Sequence, residues 1–571
     1  MSVDKTTVEV IRGALIYAAE EMGIALKKSA YSPNIKERMD HSCALFDHQR
    51  RLIAQAEHIP VHLGSMAFAI REGLAAYKGV LEAGDMILFN DPYLSGTHLP
   101  DLTLISPIFH HELLVGYAAN KAHHTDIGGK APGSIAGDST ELYQEGLIIP
   151  PVKFVKKGVI DSELSWLIRS NVRTPDVQMG DLRAQIAANN IGIRRVFELV
   201  EKYGALILNM AMEEIMDYSE RRMRSAIREM PSGTYEASDY MEDVPGRDLA
   251  EIRVRVTVDG DSVTFDYTGT CPQVEAPINA PLGVTIAGVY YTLITVTDPT
   301  IPVNDGCFRP VTLRIPEGTI MNPLRPAPVA GGNVETSQRN ADVLMKAFAQ
   351  ITPDRVPAAG LGTMSNVSVG GIRSDGVPWT FYETIGGGSG GRPRSDGVDG
   401  VHINMTNTMN TPIESLEAYL PMRFVSYGLR PNTGGVGEHR GGCGIERSWI
   451  LTAPRATLSI LAERTKIRPW GLQGGGSGAL GEYKIVKKNG EVIVLSSKCT
   501  VQISEGDTLI AHTPGGGGYG DPRRRDPVAV LRDVLNGLVS IESAEKDYSV
   551  IIDSVTKRLD AERTRSLRAT S

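Results

Sequence analysis

Two apolar, β-branched runs, Leu102-Thr-Leu-Ile-Ser-Pro-Ile-Phe109 and Leu113-Leu-Val-Gly-Tyr-Ala-Ala-Asn-Lys121, flank the polar triplet His110-His111-Glu112. Runs of this length and spacing close into an antiparallel hairpin. The residues at its outer ends constrain the chain most. His98-Leu-Pro-Asp101 precedes the first run and His123-His124-Thr-Asp126 follows the second, so five side chains able to bind metal fall within about thirty residues. With a turn centred on His110-His111, position 98 falls opposite position 123, and His98, Asp101 and His123 gather at the open end. Two imidazoles and a carboxylate with positions left open suit zinc or another first-row metal. The competing reading is a set of loop histidines that only hydrogen-bond. The hairpin tip lies roughly 30 Å from that end, at about 3.3 Å per residue, so His110 and His111 are expected to be solvated turn residues. Successive strand residues face opposite ways, so His123 and His124 cannot share one ion while the strand continues. His124 is then a neighbour of the ligands, a substrate-facing group or a ligand of a second ion. Asp126 can orient an imidazole through its free N–H.

A chain of 571 residues exceeds what one core usually supports, so two to four domains are expected. Hydrophobic content of 42% and charged content of 22% are those of an ordinary globular protein. The net charge of −8, with no basic block, argues against nucleic acid or an anionic membrane as partner. No stretch approaches eighteen consecutive apolar residues, so no transmembrane helix is expected. The N-terminal Met-Ser-Val-Asp-Lys-Thr-Thr-Val-Glu does not have the pattern of a signal peptide. Cys43, Cys271, Cys307, Cys443 and Cys499 are scattered, with no Cys-x-x-Cys, which fits a reduced, cytoplasmic setting.

The fold class expected is α+β and multidomain: a mixed metal-binding domain over 1–230, an α+β middle domain over 231–355, a β-rich, Gly-rich domain over 356–525 and a helical tail over 526–571. Val8, Ile11, Leu15, Met22 and Leu26 predict an amphipathic helix over about 5–28. Ser42–Phe46 and Arg51–Gln55 read as a short hairpin. Residues 181–230 read as helical, stopping at Met230-Pro-Ser-Gly233. Ile252–Val258 and Ser262–Tyr267 alternate as strands around a turn at Asp259-Gly-Asp-Ser262. Thr285–Val296 is apolar and periodicity does not decide between helix and strand; 336–351 reads as helix. Short strands separated by glycine turns are expected over about 355–520. The runs Gly386–Gly391, Gly434–Gly437, Gly474–Gly478 and Gly515–Gly518 are read there as turns and close-approach loops. Asp526-Pro527 is an N-cap and first helical residue, and Asn536-Gly537 a stop.

Asp40, His41, His58 and His62 are candidates for one end of the first hairpin, Asp40 pairing near Glu57. Spacing alone does not join them to His98, and each reads equally as a structural or surface residue. Arg392-Pro-Arg394 beside a glycine run reads either as an anion site or as a turn with a solvated basic rim. There is no Gly-x-x-x-x-Gly-Lys-[Ser/Thr] and no strand-to-helix Gly-x-Gly-x-x-Gly, and the one formal Gly-x-Ser-x-Gly match, Gly387–Gly391, lies within a glycine run and is not read as a serine-nucleophile motif.

Several stretches together resemble the hydantoinase B/oxoprolinase family, which includes the B-type component of N-methylhydantoinases, the corresponding part of ATP-dependent 5-oxoprolinases and the related large subunit of acetone carboxylases. They are Asp40–Asp47, His58–Met66, Gly84-Asp85, Asn90–Tyr93, Gly96–Asp101, Ala122–Gly129, Ser170–Pro175, Gly180–Leu182, Asn279–Gly283 and Thr513–Pro522. The resemblance implies a divalent metal, zinc favoured over manganese or iron, on His98, Asp101 and His123, with Asp40 as a further ligand. It implies an actin-like, A-type ATPase partner carrying ATP and magnesium, in an A2B2 heterotetramer. The implied reaction is hydrolysis of a small cyclic amide (hydantoin, oxoproline or lactam) after ATP has phosphorylated its carbonyl oxygen. His124 or Asp126 is then expected to move the proton. The alternatives are the large subunit of an ATP-dependent ketone carboxylase and a non-catalytic assembly subunit.

Overall fold

The computed structural model of the chain describes residues 3–56 and 58–570. The first helix runs Lys5–Ser29, capped by Asp4 accepting from the Thr7 N–H, and buries Val8, Ile11, Leu15, Ala18, Met22 and Leu26 along one stripe. That stripe lies on the first sheet together with the helices Pro175–Tyr203 and Ala205–Arg228.

Among the described residues four sheets form. The first contains β1 (His41–Asp47), β2 (Leu52–Ala56), β3 (Met86–Phe89), β4 (Asp101–His110), β5 (Leu113–His123), β6 (Val152–Lys156) and β7 (Val159–Ile160), in the order β2-β1-β5-β4-β3-β6-β7. The second holds β8 (Gly233–Val244), β9 (Arg247–Asp259), β10 (Ser262–Asp266) and β11 (Val311–Arg314) in the order β11-β10-β9-β8. The ambiguous apolar segment is a helix, Leu282–Val296, and with the helix Ser337–Phe348 it belongs to the core around this sheet. Its length decides the matter: fifteen residues exceed an ordinary strand. The remaining strands are β12 (Asn366–Ile372), β13 (Pro378–Glu383), β14 (Met422–Leu429), β15 (Ile445–Leu451), β16 (Arg455–Leu461), β17 (Glu482–Val486), β18 (Val492–Val494), β19 (Lys498–Ser504) and β20 (Thr508–His512). They make a four-stranded sheet β13-β12-β16-β19 and a five-stranded sheet β14-β15-β20-β17-β18. The chain is α+β and multidomain. Each sheet closes within one of the expected segments, whereas the largest core crosses them, taking in Ile59, Ile135 and Met223 from the first and Met364, Tyr382 and Leu461 from the third.

The hairpin β4–β5 forms with a different register from that expected: Asp101, not His98, stands opposite His123. Two local features cause the slip. The turn is His111-Glu112, with His111 at φ 54°, and a bulge between Ile108 and Phe109 adds one residue on the opposite strand. His110 is the last strand residue rather than part of the turn, and its Nε2 lies 2.7 Å from Glu201 Oε1; His111 is exposed. In the first hairpin, Cys43 pairs with Ala56 and Ala44 with Gln55. The expected partner of Asp40, Glu57, lies outside the described residues.

The glycine runs are close-approach segments, as expected, but apart from the turn at Gln473-Gly474 they are not turns. Most of their residues have ordinary negative φ, Gly474 excepted. They lie as segments outside the named strands, packed backbone against backbone: Gly516 donates to Gly442 O at 2.9 Å, Gly435 to Gly516 O at 2.7 Å and Gly391 to Gly517 O at 2.8 Å. A Cβ on Gly516 would overlap the Ser389 carbonyl, and one on Gly441 the Gly516 carbonyl. The C-terminal residues pack as well: Val530, Val539, Ala544, Tyr548 and Val550 form a small core, with Val436 against it. The helix Pro527–Leu535 has Asp526 as its cap, and Gly537 sits at φ 72° just beyond it.

Candidate metal centre and the cavity beside it

Strand pairing places Asp101 against His123, and a tight turn ahead of β4 brings His98 back onto them. His98 Nε2 is 3.1 Å from His123 Nδ1 and 3.2 Å from Asp101 Oδ1, and His123 Nδ1 is 3.1 Å from the same oxygen. Donors about 2.0–2.1 Å from a tetrahedral ion stand about 3.3–3.4 Å apart. The triangle therefore has nearly the dimensions of three corners of such a site. All three residues are buried. Lone pairs packed this closely need a proton or a cation between them.

The orientation of His98 follows from its other nitrogen. Nδ1 is 3.0 Å from the Ala330 carbonyl, which can only accept, so Nδ1 carries the proton and Nε2 turns its lone pair to the triangle. The Ala330 segment is itself fixed. Glu145 accepts from the Val329 and Ala330 N–H groups at 3.0 Å, and Asn279 donates to Pro328 O at 2.9 Å. His123 stacks on Tyr382, ring centroids 4.7 Å apart. Tyr382 is held in turn by its hydroxyl on Asn366 and by Arg38, whose Nη1 reaches the Tyr382 carbonyl at 3.0 Å. Arg38 Nη2 also lies 4.0 Å from Asp40 Oδ2. The donors within 4.8 Å of one another come from His98, Asp101 and His123. The Asp40 charge nonetheless acts on both imidazoles.

Burial pushes both imidazoles toward the neutral form. At His98 the Asp101 charge and hydrogen bond overcome it and raise the pKa above its usual value. At His123 burial prevails and the pKa falls, although the Asp101 bond opposes it. Burial would raise the pKa of Asp101. The His98 charge and hydrogen bonds from His123, His62 and His98 outweigh it and hold the carboxyl well below its usual range. The centre thus keeps one carboxylate charged in the interior, which suits a cation.

His124 and Asp126, the expected proton-moving groups, each have hydrogen-bond partners outside the triangle. His124 Nε2 is 2.9 Å from Gln185 Oε1, on the helix Pro175–Tyr203, in a buried amide network that includes Asn120 and Asn189. His124 is the first residue beyond β5, its N–H held by the Pro100 carbonyl at 2.9 Å. Asp126 accepts from the Gly128, Gly133 and Arg173 N–H groups and from Arg173 Nη1, at 2.9–3.1 Å. Both its oxygens are used to shape the loop.

Spacing does not tie His62 to the cluster, yet the structure brings it there. It opens the helix His62–Ala76. Its Nδ1 lies 3.0 Å from Ser42 Oγ, and its Nε2 lies 3.5 Å from Asp101 Oδ2. His41 and His58 instead pair with each other, ring centroids 4.7 Å apart, where His41 Nε2 meets the Gly23 carbonyl at 3.2 Å. Burial and the neighbouring His58 push the His41 pKa down to about 3. Lys121, on the same face of β5 as His123, is fully buried on Ser65, Ser95 and Thr97. The link from His62 to Asp101 is made by sheet order, which sets β1 and its Ser42 beside β5. His62 also lines a cavity of about 320 Å³, with Ser42, Ile59, Met66, Tyr291 and Ile294.

The sequence matches the hydantoinase B/oxoprolinase family over residues 4–522. The chain belongs to that family. It is 50% identical to an uncharacterized protein of Methanocaldococcus jannaschii, over 99% of this chain and 100% of the other. It is 36% identical to a Pseudomonas protein provisionally named as the B-type component of a D-/L-hydantoinase, over 99% and 98%. Similarity to 5-oxoprolinase 1 of Arabidopsis thaliana, 38% identical, covers 88% of this chain but 40% of that protein, so this chain corresponds to less than half of such oxoprolinases. The crystal structure of the ATP-dependent caprolactamase from Pseudomonas jessenii superimposes with a TM-score of 0.93 at 32% identity, covering 100% of both chains. Nucleotide-free acetone carboxylase shares the fold, with a TM-score of 0.91 at 21% identity. Among the described residues no helix is long and apolar enough to cross a membrane.

Proposed function

We propose that this chain is the metal-holding, ring-opening subunit of an ATP-dependent cyclic amidase. An A-type ATPase partner would phosphorylate the ring carbonyl in an A2B2 assembly, with ATP and magnesium on that partner. The observation that carries the reading is the buried His98–Asp101–His123 triangle, in a chain of this family, with a cavity at its edge. Two imidazole nitrogens and one carboxylate oxygen suit zinc best, with manganese or iron as alternatives. Asp40, beside the centre and near Arg38, is the natural further ligand.

A divalent ion bound there would supply Lewis-acid and water-activating chemistry. The rest falls to the chain's own residues. Ala330 holds His98 in one tautomer. Tyr382 fixes the plane of His123. Asp101 gives one oxygen to the triangle and the other to His62. His62 stands between the cavity and Asp101, and is the group we assign to hold or pass a proton toward the ring nitrogen, in place of His124 and Asp126. Burial of the whole set excludes bulk water, which strengthens each of these interactions.

The test is co-expression with the A-type partner and measurement of phosphate and opened ring product, with and without bicarbonate. ATP-dependent ring opening indifferent to bicarbonate is expected. Bicarbonate-dependent consumption of a ketone would replace the reading with a carboxylase, and ring opening by the chain alone without ATP would refute it.

A further inference from the structure

Resting on that reading, we infer that the cavity beside His62 is the ring-binding subsite, and that its lining selects an uncharged lactam over a ring amide bearing a carboxylate, such as oxoproline. Position comes first. His62 is at once a wall of the cavity and a neighbour of Asp101, and Ser42, another wall residue, bonds its Nδ1. A ring lodged there lies against the side chain that leads to the centre. At about 320 Å³ the space is at the small end of ligand pockets, as a single ring requires.

Chemistry decides the class. Ala56, Ile59, Met66, Ile294 and Val303 present an apolar surface, and the polar side chains are Ser42, Cys43, Gln55, His62, Tyr291 and Thr295. None of the lining residues is lysine or arginine. A substrate carboxylate in this space would be desolvated with no lysine or arginine to pair with. Cations stand one cavity away. A neighbouring space of about 500 Å³ shares Pro60, Tyr291 and Thr295 and contains Arg355 and Arg392. Arg355 is held there by Glu229 at 3.1 Å, and Arg392 is exposed. Neither guanidinium belongs to the apolar wall.

The test uses the full chain loaded with zinc and ligand-observed saturation-transfer NMR, with caprolactam, pyrrolidinone and oxoproline as probes. Wild type should bind the two lactams and discriminate against oxoproline by at least about tenfold. Ile294→Trp, at a half-buried wall position, should abolish lactam binding while zinc content stays that of wild type; Val303→Trp is the second variant should the first misfold. Ile294→Arg should reverse or close the gap with oxoproline. Oxoproline binding as tightly as the lactams, or lactam binding unchanged in both tryptophan variants, overturns the inference. Turnover with the A-type partner separates the two levels. If ring amides are opened but oxoproline is preferred, or hydantoin alone is opened, the subsite inference alone falls; if neither these three nor hydantoin is opened with ATP present, the amidase reading falls and takes the inference with it.

Discussion

The candidate metal centre at the β4–β5 hairpin and the heart of the glycine bundle are both buried, by opposite means. At the hairpin, side chains from β4, β5 and the turn ahead of β4 converge beyond Cβ, and what matters is which atoms are present: His98 Nε2, Asp101 Oδ1 and His123 Nδ1. In the bundle, Gly388, Gly441, Gly442 and Gly516 bring main chains together, and what matters is that no Cβ is present. The difference separates two kinds of sensitivity. Removing atoms from the hairpin should cost chemistry while the fold survives. Adding atoms to the bundle should cost the fold.

The largest effect is expected from Gly516→Ala. The added carbon would overlap the Ser389 carbonyl, and Gly516 cannot retreat, because its N–H is held by Gly442 and its carbonyl by Gly435. Overpacking against rigid backbone on several sides should cost more than about 4 kcal/mol and leave little soluble protein. Soluble expression and the denaturation midpoint measure it. A wild-type midpoint would mean the bundle is looser than its hydrogen bonds imply.

Asp101→Ala should do the converse. The carboxylate is the negative member of the triangle, so metal content should drop to background, and ring opening in the complex should fall by at least about 10³-fold. ATP binding by the partner should persist and the protein should remain folded. Elemental analysis, circular dichroism and the coupled assay together decide. Product formation near wild type would make the triangle a structural feature.

Much of this contrast was legible in the sequence, and the illegible part has physical causes. The hairpin, its two apolar runs and the gathering of His98, Asp101 and His123 follow from period and turn polarity. The register does not, because the bulge at Ile108/Phe109 leaves no mark that composition can carry. His62 reaches Asp101 through sheet order, and Ala330, Tyr382 and Arg38 reach the centre across long separations in the chain. Glycine was legible as close approach, but Gly-rich runs look the same whether they turn or run extended. The surroundings of His124 and Asp126 were not legible either, because their partners are distant in the chain: His124 meets Gln185, and Arg173 engages Asp126.

A third, smaller effect probes what supports the hairpin cluster from below. Burial raises the Glu145 pKa from 4.5 to about 7, against the opposing Val329 and Ala330 N–H bonds. The folded state therefore keeps a proton that the unfolded chain gives up first. Stability is full below about pH 4.5, falls as pH rises toward about 7, and levels off above. The loss amounts to about 3 kcal/mol at most. Glu145→Gln should flatten the pH–stability curve in that window, as read from denaturation midpoints at several pH values. An unchanged slope would mean that other groups set it and that Glu145 stays charged.

The smallest effect sharpens the comparison most, because it uses the same substitution as the largest. Gly428 lies near the end of β14, at the edge of its sheet, with no atom within 4 Å of where a Cβ would stand. Its φ is not among the positive ones, so alanine fits the backbone as it is. Nothing in the folded state resists Gly428→Ala, while the unfolded chain loses conformational freedom. A gain of about 0.5 kcal/mol is expected. Measured beside Gly516→Ala by the same denaturation, it isolates contact as the cause: two glycines, one substitution and opposite signs. If Gly428→Ala also destabilised strongly, the sensitivity of Gly516 would reflect a general intolerance of this β-rich region to alanine, and backbone packing in the bundle would no longer be the explanation.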